Sequence, residues 1–225
     1  MPALLQPREQ AGLRVAEIGA RDADLLKAKR AAPRLDLPCQ QPPIATSRNR
    51  MHMHTNDGNP SVAPLTGRLE DEAATRALGA ALGSVIEPGM VLHLHGDLGA
   101  GKTALVRACL LSLGCREKVK SPSYTLVELY SLSRLDFYHF DFYRFKSAEE
   151  WDATGFSEYF HAGAVCAIEW PEKVGARLPP ADLRIQLEFA QPGRTYEIAA
   201  GSTRGERCLK RLRTAVARHR APPVD

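Results

Sequence analysis

Gly96-Asp97-Leu98-Gly99-Ala100-Gly101-Lys102-Thr103 follows directly on the apolar run Met90-Val91-Leu92-His93-Leu94-His95. The eight residues match G-x-x-x-x-G-K-[ST], a phosphate-binding loop between a strand and a helix. Gly96, Gly99 and Gly101 allow backbone conformations closed to residues with a Cβ. The N–H groups of Gly96, Asp97, Leu98, Gly99, Ala100 and Gly101 can then turn inward and form an anion-binding nest. Lys102 is expected on the β- and γ-phosphates, and the Thr103 hydroxyl on Mg²⁺. Ala104 to Leu113 makes a good helix, and Gly114 can close it. The N-terminus of that helix adds partial positive charge at the phosphates.

Outward from this loop, the chain of 225 residues is long enough for one domain with extensions. Its hydrophobic share of 44% supports a packed core. The formal charge of +4 is unevenly spread. Residues 1–60 hold nine basic and six acidic side chains, and residues 204–225 hold seven and two, so the middle is mildly acidic. A basic end is either a nucleic-acid contact or a solvated helix face. Cys39, Cys109, Cys115, Cys166 and Cys208 are scattered without a C-x-x-C pair. That spacing argues against a zinc site or a disulfide scaffold and for a reducing, cytoplasmic setting. No apolar run approaches the ~18 residues of a membrane span, and no secretory signal is evident.

Residues 1–60 differ from the rest. Leu13 to Lys29 is amphipathic, but Pro33, Pro38, Pro42, Pro43 and Pro60 break up the stretch after it. The segment reads as a disordered extension or, given Met51 and Met53, as residues upstream of the true start. His52 and His54 lack the further ligands a metal site needs. Residues 61–203 read as the catalytic domain and 204–225 as a basic helix with a tail. Glu70 to Leu82 has helical spacing, with Gly83 to end it. Ser123 to Tyr130 and Leu135 to Tyr143 read as a hairpin, as do Leu183 to Phe189 and Thr195 to Ala199 around Gln-Pro-Gly. Ser147 and Glu150 form a capping box. Val165 to Trp170 is a short apolar strand, and Thr203 to His219 a terminal helix. The fold class is α/β: a P-loop NTPase core with a mixed, partly antiparallel sheet flanked by helices.

Hydrolysis needs a second carboxylate to hold Mg²⁺ or orient water. Glu169 fits, emerging at the end of the strand Ala164-Val165-Cys166-Ala167-Ile168. Trp170 beside it is either packing or a wall of the site. In His139-Phe140-Asp141-Phe142-Tyr143-Arg144, strand alternation places His139, Asp141 and Tyr143 on one face. That face borders either a cleft or water. Arg144 can pair with Asp141 or with phosphate. Ser121-Pro122-Ser123-Tyr124-Thr125 is either an ordinary turn or a γ-phosphate switch. His93 and His95 read as satisfied strand histidines rather than ligands. No Asn-Lys-x-Asp segment supports a GTPase, and no lid-length insertion supports a small-molecule kinase. A nucleotide-gated binding module remains an alternative to a hydrolase.

Taken together, Gly-Asp-Leu-Gly-Ala-Gly-Lys-Thr (96–103), Lys-Ser-Pro-Ser-Tyr-Thr-Leu-Val (120–127), Tyr-His-Phe-Asp-Phe-Tyr-Arg (138–144) and Ile-Glu-Trp-Pro-Glu (168–172) occur in this order. The set resembles the TsaE (YjeE-like) family, P-loop ATPases of bacterial tRNA threonylcarbamoyladenosine synthesis, over roughly residues 65–200. The resemblance implies an ATP hydrolase, slow alone, using ATP and Mg²⁺. It implies work beside the TsaD–TsaB pair, which transfers a threonylcarbamoyl group to adenosine 37 of tRNAs reading ANN codons. It implies Lys102, Glu169 and Asp141 as catalytic residues, and Thr103 and Glu169 as metal ligands. Thr75, Ser121, Thr125, Tyr143, Arg144 and Trp170 are then implied nucleotide contacts, with tRNA reached through the complex and no membrane involved. Ala104 stands where the family usually has a second Thr, and Ser123 replaces a Thr.

Overall fold

A computed structural model describes residues 62–220; the segment 1–61, with the amphipathic stretch, Met51, Met53 and the His52/His54 pair, lies outside the described residues, as do residues 221–225. Seven strands form one sheet: β1 (Leu65–Leu69), β2 (Val91–His95), β3 (Val127–Ser131), β4 (Asp136–Asp141), β5 (Ala164–Glu169), β6 (Leu183–Phe189) and β7 (Arg194–Ala200). Their spatial order is β1-β7-β6-β2-β5-β4-β3. The four central strands β6, β2, β5 and β4 run parallel, and antiparallel partners close both edges. The mixed α/β sheet expected from the two hairpins is therefore the observed one.

Among the described residues, three α-helices accompany the sheet: α1 (Glu72–Gly83), α2 (Lys102–Ser112) and α3 (Thr203–Arg220). All three cover one face of the sheet. Leu78 and Leu82 of α1, Leu105 and Cys109 of α2, and Leu209 and Leu212 of α3 share one apolar cluster with Leu92, Phe137, Val165 and Ala167 of the strands. The other face of β4 and β5 carries Tyr138, Phe140, Cys166 and Ile168, packed under Trp151, Phe156 and Tyr159 from short 3₁₀ turns. The expected capping box is present at Ser147 and Glu150, but the segment it starts, Ala148–Ala153, is 3₁₀.

Local chemistry explains the element ends. The Asp71 side chain accepts from the Ala74 N–H at 2.7 Å and caps α1. Gly79 and Gly83 lie one turn apart on the buried side of α1, where α2 crosses. A Cβ at Gly79 would lie 2.6 Å from both the Ala108 Cβ and the Leu105 carbonyl oxygen. At that range a Cβ would force the two helices apart.

Two strand boundaries differ from the expected ones by more than one residue. The first strand of the 123–143 hairpin begins at Val127, not Ser123, because Leu126 takes the left-handed conformation (φ 66°) and bonds back to the Pro122 carbonyl. The second ends at Asp141, where the Asp141 side chain accepts from the Tyr143 N–H at 3.0 Å and turns the chain. Tyr143 is thus in a turn rather than on the strand face it was expected to share.

Candidate nucleotide site

The parallel register builds the site. Phe137, Val165 and Ala167 face the helices, so His139, Asp141 and Glu169, each in step with them at period two, point to the same side. Asp141 and Glu169 are direct neighbours across β4 and β5. The face carrying them is neither solvent nor ordinary core: all six residues of β4 are buried, and its polar members abut the start of α2. There the Thr103 hydroxyl donates to Glu169 Oε1 at 2.7 Å.

Around them lies a cleft of about 470 Å³. Leu98, Gly99, Gly101, Lys102 and Thr103 form its floor, and Ser121, Asp141, Tyr143, Arg144, Glu169 and Trp170 its walls. Gly96, Asp97 and Ala100 lie in the loop but not in the cleft lining. The loop's backbone is the one its glycines predict, with φ of 130° at Gly96, 83° at Gly99 and 104° at Gly101.

Lys102 is folded into its own loop. Its ammonium donates to the carbonyls of Gly96 (2.6 Å) and Asp97 (2.9 Å) and sits 4.0 Å from the centre of the Trp170 ring. Burial pushes its pKa down, and the carboxylates of Glu169, Asp141, Glu172 and Asp97 oppose that shift. Trp170 reaches the lysine because the chain turns left-handed there (φ 60°) directly after β5. Its ring also meets Tyr143 at 5.1 Å between centres. Trp170 is both packing and wall: it lines the cleft and packs against the apolar cluster beneath the 3₁₀ turns.

Asp141 accepts a short hydrogen bond from the Ser121 hydroxyl. Burial raises its pKa, against the hydrogen bonds from Ser121 and the Tyr143 N–H. Arg144 does not pair with Asp141; its guanidinium stacks on Tyr124, 4.0 Å from the ring centre. Thr75 is fully buried in α1, with its hydroxyl on the Asp71 carbonyl at 3.1 Å, and does not line the cleft. Thr125 is also outside the lining; its hydroxyl lies 3.5 Å from Glu128 Oε1. Ala104 and Ser123, the two departures from the family pattern, both line the cleft.

The structure adds one residue that sequence reasoning missed, Arg194, and gives partners to two that it named, His95 and His139. Arg194, at the start of β7, donates to the Ala100 carbonyl at 3.0 Å. A Cβ at Gly101 would lie 1.9 Å from its Nη1, so the loop rests on this guanidinium. His95 contacts Glu172 at 3.3 Å. Burial opposes ionisation of Glu172, yet the hydrogen bond from His95 holds it below the usual carboxylate range. His139 Nε2 lies 2.8 Å from Glu169 Oε1. Only the strand alternation of the 139–143 segment could have hinted at that last contact.

These observations coincide with a family match. The family model described as "Threonylcarbamoyl adenosine biosynthesis protein TsaE" matches residues 69–196. The chain belongs to the TsaE family. Among similar TsaE proteins, that of Haemophilus influenzae is 36% identical over 150 residues, covering 64% of this chain and 95% of the relative. That of Treponema pallidum is 39% identical over 119 residues, covering 53% and 87%. The TsaE of Bacillus subtilis is 33% identical over 144 residues, covering 60% and 90%. The crystal structure of Bacillus subtilis YdiB superposes with a TM-score of 0.58 at 29% identity, covering 72% of this chain and all of that one.

For the TsaE chain described here, three basic side chains of the terminal helix are engaged within the fold. Arg204 donates to the Gly89 carbonyl, Arg213 to the Ala63 carbonyl, and Arg211 pairs with Glu87. Arg207, Lys210 and Arg218 are exposed. Cys109, Cys115, Cys166 and Cys208 are free and buried. Among the described residues, no helix is long and apolar enough to cross a membrane.

Proposed function

We propose that this chain is a Mg²⁺-dependent ATPase of the cytoplasm that supports threonylcarbamoylation of adenosine 37 in tRNAs reading ANN codons, beside TsaD and TsaB homologues. The observation that carries the reading is the meeting of Thr103 and Glu169 at 2.7 Å in the cleft that also holds Lys102. Two hard oxygen donors at the phosphate end of the cleft suit Mg²⁺, which keeps water and phosphate oxygens for its remaining positions. Among the described residues no cluster of three or more His, Cys, Asp or Glu would compete as an all-protein metal cage. When bound, Mg²⁺ would neutralise charge developing on the β- and γ-phosphate oxygens.

The chain's own residues then divide the work. Lys102 leaves the Gly96 and Asp97 carbonyls for phosphate oxygens, an exchange of neutral acceptors for charged ones. The loop N–H groups hold the remaining phosphate oxygens. Asp141, held by Ser121 and the Tyr143 N–H, would orient the attacking water. Trp170 and Tyr143 shield Lys102 from bulk solvent. tRNA is reached through the complex, and among the described side chains of α3, Arg207, Lys210 and Arg218 would be available to it.

The test is hydrolysis by the purified chain. ATP should be turned over slowly with Mg²⁺, and Lys102→Ala or Glu169→Ala should abolish it. Full activity in Glu169→Ala would remove the site. Normal threonylcarbamoyladenosine in tRNA from a depleted strain would remove the pathway role.

A further inference from the structure

His139 is a buried histidine that the loop, the metal pair and the water-orienting aspartate leave without a task. It is 0% exposed and stands on β4 opposite Ala167, two residues before Glu169 on β5. From there its Nε2 reaches diagonally across the ladder to Glu169 Oε1 at 2.8 Å. A carboxylate can only accept, so Nε2 carries the hydrogen and donates. Its other ring nitrogen, Nδ1, is buried and has no hydrogen-bond partner among the described residues.

A buried histidine that serves packing alone finds partners for both nitrogens or gives way to an apolar residue. Here one nitrogen is left unpaired and the single bond goes to the carboxylate of the cleft. Oε1 is therefore gripped from two sides, by Thr103 at 2.7 Å and by His139 at 2.8 Å. The two grips differ in permanence. Thr103 belongs to the phosphate loop, and its hydroxyl is needed for ligand once nucleotide arrives. His139 sits on a central strand with no exposed atom and has no other partner to turn to.

We propose that His139 is a positioning residue: its Nε2–H holds the Glu169 carboxylate in its metal-accepting orientation when Thr103 turns to ligand. This rests on the ATPase reading above, and it assigns to His139 a role through Glu169 rather than contact with substrate. Without the bond, Glu169 must be ordered by the ligand itself, and the metal-dependent part of nucleotide affinity should fall. Partners of this kind around a metal ligand typically govern about 10- to 100-fold in affinity.

The experiment is calorimetric ATP binding by the full chain, with Mg²⁺ and with EDTA, for wild type, His139→Leu and His139→Gln. His139→Leu should lose about 10-fold or more of the gain in affinity that Mg²⁺ confers, with binding in EDTA unchanged. His139→Gln, whose amide N–H reaches about as far as Nε2, should recover most of the gain. A purely structural histidine would not separate the two conditions. If His139→Leu does not fold, His139→Gln against His139→Asn replaces it, because the shorter amide falls short of Glu169. Equal Mg²⁺ gains in the leucine variant and wild type, or in the glutamine and asparagine variants, would overturn the proposal. A wild-type chain that binds ATP with no Mg²⁺ gain at all would instead overturn the ATPase reading beneath it.

Discussion

Replacing Gly79 with Ala tests how the nucleotide loop is held, at a position that touches no ligand. In a solvated helix the substitution stabilises by about 1 kcal/mol, because alanine is the better helix former. Here the added Cβ would stand 2.6 Å from the Leu105 carbonyl oxygen and 2.6 Å from the Ala108 Cβ. Both belong to α2, and the Leu105 oxygen is main chain, so no side-chain rotation relieves the clash. The helices must part by several tenths of an ångström. Overpacking of this kind costs about 1–3 kcal/mol. Set against the propensity gain, the net loss is about 0–2 kcal/mol. For a domain of about 160 residues, each kcal/mol moves the thermal midpoint by about 2–4 °C, so a fall of up to about 8 °C, and no rise, is expected. Urea denaturation should show the same loss with an unchanged slope. Because α2 begins at Lys102, ATP affinity should weaken in the same variant. A midpoint that rises, as an exposed glycine-to-alanine change would give, refutes the close crossing.

Three other named contacts make their own predictions. Asp71→Ala removes the acceptor for the Ala74 N–H and should cost about 1 kcal/mol in urea denaturation, with Asp71→Asn restoring most of it. Arg194→Met removes the bond to the Ala100 carbonyl and should weaken ATP binding more than it lowers the thermal midpoint; the reverse ranking would make Arg194 a fold residue only. His93 is pushed down from 6.5 to about 4, by burial first and by His95 and Arg184 after it. The unfolded chain therefore takes up a proton that the folded chain refuses between those values, and stability should fall as pH drops through that window. The full shift corresponds to about 3 kcal/mol, and solvent at the partly exposed ring reduces it to about 1–2 kcal/mol. Stability of His93→Gln should be flatter with pH than that of wild type, and parallel profiles would exclude His93 as the cause.

The sequence alone determined the features whose causes are local. The phosphate loop is legible because three glycines, a lysine and a hydroxyl must sit at fixed spacing between a strand and a helix. β5 and Glu169, the β6–β7 hairpin and the cap at Ser147 are legible for the same reason: period, turn residues and caps act over a few positions. Those rules failed first at strand ends, where side chains and backbone compete. Leu126 delays the start of one strand and Asp141 ends another, each through one local hydrogen bond that periodicity does not encode.

Only the tertiary structure decided which residues meet. Nothing in the spacing of His139 and Glu169 says that β4 and β5 are parallel neighbours in the register that puts Nε2 on Oε1. Arg194 reaches the loop because β7 pairs with β6 and β6 lies beside β2, an order not read from the chain. Thr75 carries a suggestive motif yet faces inward, because the turn of α1 that buries Leu78 and Leu82 buries it too. Gly79 looks like a weak point in a helix until α2 is laid across it. Local propensity determines what each segment can be; strand order and register, set by burying both faces of one sheet, determine which of its side chains can act together.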